Sequence, residues 1–234
     1  MERSEVAGEQ LKASVGAVIR WVRSSSRFQA MVVRNFEFSL FISAIPAVVP
    51  VIGLKGLHFS SSELGLLFAS MGSGSVIAAL LVQSWVRKFF AGSVLTVSNS
   101  VIALIYLLIA FNHEPAWFFL AAGLAGAGWT VSASELWAAG QQAMPEWARG
   151  RLTAAIITVS QGATVLGGVI WSALVAIGGA NNALLEAGAL FSIAILLTTT
   201  YRRVKRFLSG TFPEISAVRL GKSFSGSKPE LTPA

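Results

Sequence analysis

Residues 92–111 read GSVLTVSNSVIALIYLLIAF, an apolar stretch without a single charged side chain. A helix of about 20 such residues crosses the roughly 30 Å hydrocarbon core of a bilayer. A helix of a soluble bundle needs a polar face, and this stretch offers almost none. It therefore predicts a membrane-spanning helix.

Five further stretches of similar character lie on either side of it. Turn-forming Gly, Pro and Asn residues connect them, mostly in short loops, so consecutive helices must run antiparallel. The chain is 54% hydrophobic and only 12% charged, whereas a soluble domain has about 25% charged residues. These features predict an all-α membrane protein with six transmembrane helices, at about residues 35–53, 63–84, 92–111, 115–139, 153–177 and 181–200.

The basic residues indicate how the helices are oriented. With the N-terminus inside, all but Lys55 of the 18 Lys and Arg residues fall on the cytoplasmic side, as the positive-inside rule requires. The net charge of +7 is therefore explained by topology, and not by nucleic-acid binding, which needs a basic face on a folded polar domain. We expect a multi-pass protein of the cell inner membrane with both termini in the cytoplasm.

Composition divides the chain into three parts. Residues 1–30 are basic, with apolar residues at helical spacing, and predict an amphipathic segment on the cytoplasmic membrane surface. Residues 31–201 contain the six spans. Residues 202–234 begin with a basic cluster and continue in Ser, Gly and Pro, which is typical of a disordered cytoplasmic tail.

Several kinds of chemistry have no candidate residues. The chain has no Cys, and its two His residues lie in different segments, which excludes disulfides, thiolate metal sites and a Cys nucleophile. It contains no G-x-x-x-x-G-K-[ST] motif for a nucleotide phosphate, and no H-E-x-x-H or G-x-S-x-G motif. We therefore expect no catalytic residue, no metal and no cofactor, and a protein that is not an enzyme.

Polar side chains within a span are costly in lipid, so each one is expected to have a structural or functional role. Glu37 lies three residues after Arg34, so the two predict either a structural or a gating pair, and Glu186 lies near the outer surface. For Glu135 the two alternatives are a proton relay and a structural hydrogen bond to a neighbouring helix. For Gln161 and Asn99 the alternative to ligand binding is hydrogen bonding between helices. The candidates for a transport path are Glu135, Trp129, Trp137, Gln141, Gln161 and Asn99.

The second and fifth spans share a short similarity. Residues 70–74 and 160–164 are rich in small residues and are related by an offset of 90 residues. Many transporters contain two three-helix units in inverted topology, which leave such a weak internal repeat. The alternative is two unrelated packing faces, because small residues let helices approach closely in lipid.

The loop between the fourth and fifth spans reads PEWARGR over residues 145–151. It resembles the P-[DE]-W-x-R-G-R pattern in the cytoplasmic loop between helices 10 and 11 of major facilitator superfamily exporters, in the branch that contains the enterobactin exporter. Arg87 and Lys88 fall where that family has its basic loop between helices 8 and 9, although the Gly and Asp of the fuller motif are missing. Residues 1–30 look like the linker between the two six-helix halves of that family.

The resemblance implies that the six helices form two inverted three-helix repeats, as the C-terminal half of a twelve-helix transporter. By analogy, the basic loop residues would be latches that hold one alternating state, and positive-inside anchoring is the alternative. The candidates for cytoplasmic latches are Arg149, Gly150, Arg151, Arg87 and Lys88.

The expected function is transport of a small organic solute by alternating access, in the direction of export. One six-helix half has only one wall of a cavity, so we expect a second six-helix half or a homodimer as partner, within the lipid bilayer. The alternative hypothesis is a truncated or accessory membrane subunit without transport activity of its own.

Overall fold

The computed structural model describes residues 16–17, 19–82, 93–111 and 114–211, with the side chains of all of these except 81–82 and 202–211. No β-strand occurs among them. The α-helices are α1 (Ser26–Ile42), α2 (Ala44–Val51), α3 (Ser61–Ile77), α4 (Val94–Phe111), α5 (Pro115–Ala143), α6 (Arg149–Gly178) and α7 (Ala180–Thr211). Short π-helical segments, Ile52–Gly56 and Ala78–Val82, extend α2 and α3, and a 3-10 turn, Glu146–Ala148, precedes α6.

Six helical stretches in the described part of the chain are long and apolar enough to cross a membrane. They confirm the predicted all-α fold with six transmembrane helices. The first span comprises α1, α2 and the π-helical segment that follows, and each later span contains one α-helix. The spans are Ser26–Gly56, Ser61–Leu80, Val94–Phe111, Pro115–Ala143, Glu146–Gly178 and Ala180–Tyr201.

Some spans extend beyond the apolar stretches that hydropathy predicts. α1 begins at Ser26, well before residue 35, because the Ser25 hydroxyl accepts a hydrogen bond from the Phe28 amide and caps the helix. α6 likewise begins at Arg149, before residue 153. Hydropathy marks only the part of a helix within the hydrocarbon core, whereas backbone hydrogen bonds continue the helix into the polar layer.

The two terminal parts expected from composition are only partly described. Residues 19–24 are helical and end at Ser25, and the rest of the proposed linker lies mainly outside the described residues. α7 continues to Thr211, past residue 202 where the tail is expected to begin. The described residues from Leu196 onward belong to a separate unit, and the core and cavity described below belong to the described residues of the first unit, which ends at Ile195.

The first span is broken at Ser43, between α1 and α2. Pro46 has no N–H to donate to the Ile42 carbonyl, so the helical hydrogen-bond ladder is interrupted here. The Leu40 carbonyl accepts hydrogen bonds from Ser43 Oγ (2.7 Å) and from Trp171 Nε1 on α6 (2.9 Å). In lipid, such a break persists because other protein groups replace the missing backbone bonds.

The main hydrophobic core surrounds this break. The Phe41 ring stacks on Phe191 of α7 with 4.8 Å between ring centroids, and it lies 5.8 Å from the Trp171 ring. The Phe41 carbonyl accepts a hydrogen bond from the Tyr106 hydroxyl of α4 (2.8 Å). Phe191, Trp171 and Tyr106 are almost completely buried. The third, fifth and sixth spans therefore hold the broken turn of the first.

Two helix pairs show the packing of an inverted repeat. α3 packs along α5, and α6 packs along α1, so the second span contacts the fourth as the fifth contacts the first. Ser70 donates to the Phe119 carbonyl (2.7 Å) in one pair, and Ser160 is hydrogen-bonded to Ser39 (2.7 Å) in the other. Ser70 and Ser160 are the positions that the internal similarity relates. The two inverted three-helix repeats are thereby confirmed.

Candidate transport cavity

A cavity of about 270 Å³ opens between the first, fourth and fifth spans, beside the break in the first. Residues of α1, α2, α5 and α6 form its walls, with one residue from the break and one from the loop after α5. The lining residues are Asn35, Phe38, Ser39, Ile42, Ser43, Pro46, Trp129, Ala133, Leu136, Trp137, Gly140, Gln141, Met144, Ile156, Ser160, Gln161 and Thr164.

α5 forms the aromatic wall of the cavity. Its lining residues recur at helical intervals from Trp129 to Gln141, so they lie on one face of a helix with about 3.6 residues per turn. Trp137 is 51% exposed, and Trp129 is half-buried. The two indole rings therefore present accessible surface to any molecule that enters the cavity.

α1 forms a wall with a polar stripe. Asn35, Ser39 and Ser43 follow one another at intervals of four residues on the cavity face. Asn35 Nδ2 donates to the Ile156 carbonyl (3.5 Å), and Ser39 Oγ shares a hydrogen bond with Ser160 Oγ (2.7 Å). The first two side chains of the stripe therefore connect α1 to α6 and hold this wall in place.

Two carboxamides face the cavity without such partners. Gln141 of α5 is half-buried, and Gln161 of α6 is exposed. Neither side chain has a hydrogen-bond partner within the part of the chain that the structure describes. A primary carboxamide has two N–H donors and an acceptor oxygen. These two side chains therefore offer the fold's available carboxamides to a ligand.

No ionisable side chain lines the cavity among the described residues. The wall helices do carry acids, Glu37 in α1 and Glu135 in α5, but helical geometry places each of them on the side of its helix that faces away from the cavity. The charges of Glu37 and Arg34 interact, as the pairing on one helix predicts. The described residues also contain no group of three or more His, Cys, Asp or Glu side chains that could hold a metal ion.

The structure brings four of the six transport-path candidates together. Trp129, Trp137, Gln141 and Gln161 line the cavity, whereas Glu135 does not and is partly buried elsewhere on α5. Their role in transport stays a prediction.

Asn99 also lies away from the cavity, in a buried polar network between α4 and α5. Its Oδ1 accepts a hydrogen bond from Ser132 Oγ (2.8 Å), which is 2.7 Å from Ser98 Oγ. Ser132 is completely buried. This is the arrangement expected of hydrogen bonding between helices, the alternative that the sequence left open for Asn99.

The loop with the PEWARGR sequence lies at the junction of α5 and α6. Arg149, Gly150 and Arg151 form the exposed first turn of α6, and Arg87 and Lys88 lie outside the described residues. The buried Ala148 anchors the loop in a small cluster with Phe28, Met31, Met144, Leu152 and Ile156. The loop therefore has a fixed base from which the two Arg side chains project, and their role as latches stays a prediction.

The sequence analysis missed the polar wall of α1. Asn35, Ser39 and Ser43 carry no charge, so attention to ionisable groups within spans passes over them. Their four-residue spacing in an otherwise apolar span was a usable signal, because it places three polar side chains on one helix face. That stripe predicts a helix contact or a cavity, and in this fold it forms both.

Six membrane-spanning helices, an inverted repeat and a cavity between the first, fourth and fifth spans define a membrane transport protein of the major facilitator type. The sequence profile of a family described as transmembrane secretion effector matches residues 1–209. The chain therefore belongs to this family of the major facilitator superfamily. No curated protein matches it significantly.

Proposed function

We propose that this chain forms one wall of an alternating-access exporter for a small organic solute. The observation that carries the proposal is the cavity between α1, α5 and α6, in which Gln141 and Gln161 are exposed or half-buried and have no partner among the described residues. Protein interiors contain few voids larger than a water molecule, and the polar lining of this cavity distinguishes it from the apolar space of similar size beside α4 and α5. The membership of a secretion effector family supports the outward direction.

A second six-helix unit completes the cavity. The second and fifth spans, which are equivalent in the inverted repeat, have only 11% and 17% of their apolar windows buried, against 61% for the first. Gly72 and Gly162 occupy equivalent positions in these spans, and a Cβ atom at either would meet nothing within 4 Å. Such open small residues permit close approach of another helix in lipid. We place the second unit, an N-terminal half or another copy, on this face.

In this proposal both termini lie in the cytoplasm, and Arg149 and Arg151 hold one of the two alternating states. Two positive charges in the first turn of a helix oppose the positive end of its dipole. An acidic group of the second unit, when it approaches α6, would relieve this repulsion. The latch would then open when that contact is broken.

The first test is the partner content of the tagged chain, gently extracted from its native membrane and measured by native mass spectrometry. A stable complex with a second six-helix unit, or a homodimer, is the expected result. A monomer without a partner contradicts the proposal, because half a cavity would then be open to lipid. The alternative of an accessory or truncated subunit would replace it.

The second test measures export of the neutral dye Nile red from cells that produce the chain with its partner. Gln141→Ala removes a cavity carboxamide, and we expect it to lower the export rate at least about fivefold. Gln142→Ala changes the adjacent exposed residue, which does not line the cavity, and serves as the matched control. Equal loss in both variants, or export no faster than in cells without the chain, contradicts the proposal.

A further inference from the structure

The cavity carries a selectivity for charge and shape that neither the family nor the motif loop specifies. We infer, on the basis of the proposed function, that it accepts uncharged, planar aromatic solutes that carry an amide or a similar neutral hydrogen-bonding group. The inference rests on three features of the described lining: the absence of ionisable side chains, the two indole rings and the two available carboxamides.

The missing charge disfavours ionic solutes. Transfer of an unpaired charge from water into an apolar site costs far more free energy than transfer of a neutral polar group. No described lining residue supplies a counter-charge, and Glu37 and Glu135, the acids on the wall helices, face away. An anionic or cationic solute would therefore lose its hydration at this wall without a compensating ion pair.

The indole rings favour a flat aromatic body. Trp129 and Trp137 are eight residues apart on one face of α5, which separates their Cα atoms by about 12 Å along the helix. Aromatic rings gain additional stabilisation from stacked or edge contacts beyond the burial of their area. Phe38 and Met144 extend the same apolar lining. A planar molecule can therefore lie along α5 with a large part of one face covered.

The two carboxamides favour a neutral polar group at the edge of that body. Gln141 follows Trp137 by four residues, so it lies one turn further along the same face, and Gln161 stands on the neighbouring wall. An amide on the solute has both a donor and an acceptor, as each Gln does, so all groups can be satisfied together. A site with paired hydrogen-bonding groups discriminates strongly against molecules that leave them unpaired.

The size of the cavity limits the solute. Small-molecule sites commonly have volumes of about 300–1,000 Å³, and this wall alone encloses about 270 Å³. A two-ring solute therefore engages this wall, while a larger one would extend toward the second unit. Two-ring molecules are accordingly the sharpest probes of these residues.

The test uses three probes with the same naphthalene ring: neutral 2-naphthamide, anionic 2-naphthoate and cationic 2-naphthylmethylammonium. Their binding to the detergent-solubilised native complex is measured by equilibrium dialysis at pH 7. We expect 2-naphthamide to bind at least tenfold more tightly than either charged probe. Equal or tighter binding of a charged probe, or no binding of 2-naphthamide, overturns the inference.

Variants of one carboxamide assign the selectivity to this cavity. Gln161→Leu should weaken 2-naphthamide at least fivefold and leave the charged probes unchanged, because it removes the hydrogen bonds but not the apolar contact. Gln161→Glu should reverse the preference toward 2-naphthylmethylammonium, since it supplies the missing counter-charge. Gln142→Glu places the same charge outside the cavity and should change nothing. A variant series in which Gln142→Glu acts like Gln161→Glu contradicts the assignment.

The proposed function can fail separately. If Nile red is exported and Gln141→Ala abolishes this, while the three probes bind equally, the transporter stands and the solute class is wrong. If no dye is exported and none of the three probes binds, the proposed function and the inference fall together. Binding of 2-naphthamide with the expected preference, without export of Nile red, supports the selectivity and contradicts the proposed export.

Discussion

The two helix pairs related by the inverted repeat differ in what lies between them. In the α3–α5 pair, Gly74 lies against the backbone of Gly123, and Gly126 lies against the backbone of Met71. Glycines on both sides let the helix backbones touch, so this pair closes without leaving space. In this pair the small residues serve close packing and hydrogen bonding to backbone carbonyls.

The α1–α6 pair has glycine contact at only one level. Gly167 lies against the Leu40 carbonyl and the Ser43 hydroxyl, beside the broken turn. Elsewhere, hydrogen-bonded side chains such as Ser39 and Ser160 join the two helices and keep their backbones apart. The cavity opens along this pair. The difference indicates that a cavity opens in this fold where side chains, and not backbones, join the two helices.

The largest expected effect on stability comes from a substitution in the closely packed α3–α5 pair. Gly74→Ala places a methyl group against the Gly123 backbone of an unbroken helix, so one helix must shift. We expect a loss of about 3 kcal/mol in the free energy of unfolding, at the upper end of typical overpacking costs. Gly65→Ala on the same helix meets nothing within 4 Å and is the matched control. Unfolding in detergent, followed by circular dichroism, should separate the two; equal stability would show that the pair is less tightly closed than its geometry indicates.

A smaller effect on stability is expected from the corresponding substitution in the α1–α6 pair, along which the cavity opens. Gly167→Ala brings a methyl group against Leu40 and Ser43, but the broken turn beside it gives α1 room to shift. We expect a loss of about 1.5 kcal/mol, within the range of overpacking costs, together with a change in solute binding. Gly168→Ala, which meets nothing within 4 Å, should alter neither. Thermal unfolding and dialysis of 2-naphthamide measure the two consequences, and a larger loss than for Gly74→Ala would reverse the comparison.

The smallest effect is expected from removing one hydrogen bond between α1 and α6. A double-mutant cycle of Ser39→Ala and Ser160→Ala should give a coupling energy of about 0.6 kcal/mol, the average for such bonds between membrane helices. The equivalent Ser70→Ala has no such side-chain partner, since Ser70 donates to the Phe119 backbone, so the cycle of Ser70→Ala with Ser160→Ala should be additive. Coupling in the second cycle would mean that the two pairs respond to each other.

The sequence predicted the spans well because the cost of placing polar groups in lipid acts on every residue separately. A charge-free stretch such as residues 92–111 has few stable structures other than a membrane-spanning helix. The positions of Gly and Pro then indicate where the loops between the helices lie. The internal similarity between Ser70 and Ser160 also survived as a true relation of helix pairs. Local composition was enough for these features.

The candidate site was predicted less completely. Attention to charge singled out Glu135, whereas the cavity face of α5 carries Trp137 and Gln141, two and six residues further along. A rotation of one residue on a helix moves a side chain by about 100°, so a face cannot be assigned until the neighbouring helices are known. Ser39 was missed for the same reason. Its sequence context is that of any serine in an apolar span, and only the neighbouring helices show that it lines the cavity.

By itself, the sequence determined that this chain has six membrane-spanning helices and no thiol chemistry, and it left open whether the similarity between two spans reflects a repeat. These properties depend on residue type, length and order. Only the tertiary structure decided which helices touch, that Asn99 is buried in a network while Gln161 faces a cavity, and that the first span breaks beside that cavity. These properties depend on which side of each helix meets a neighbour, and that choice is made by the packing of all six spans together.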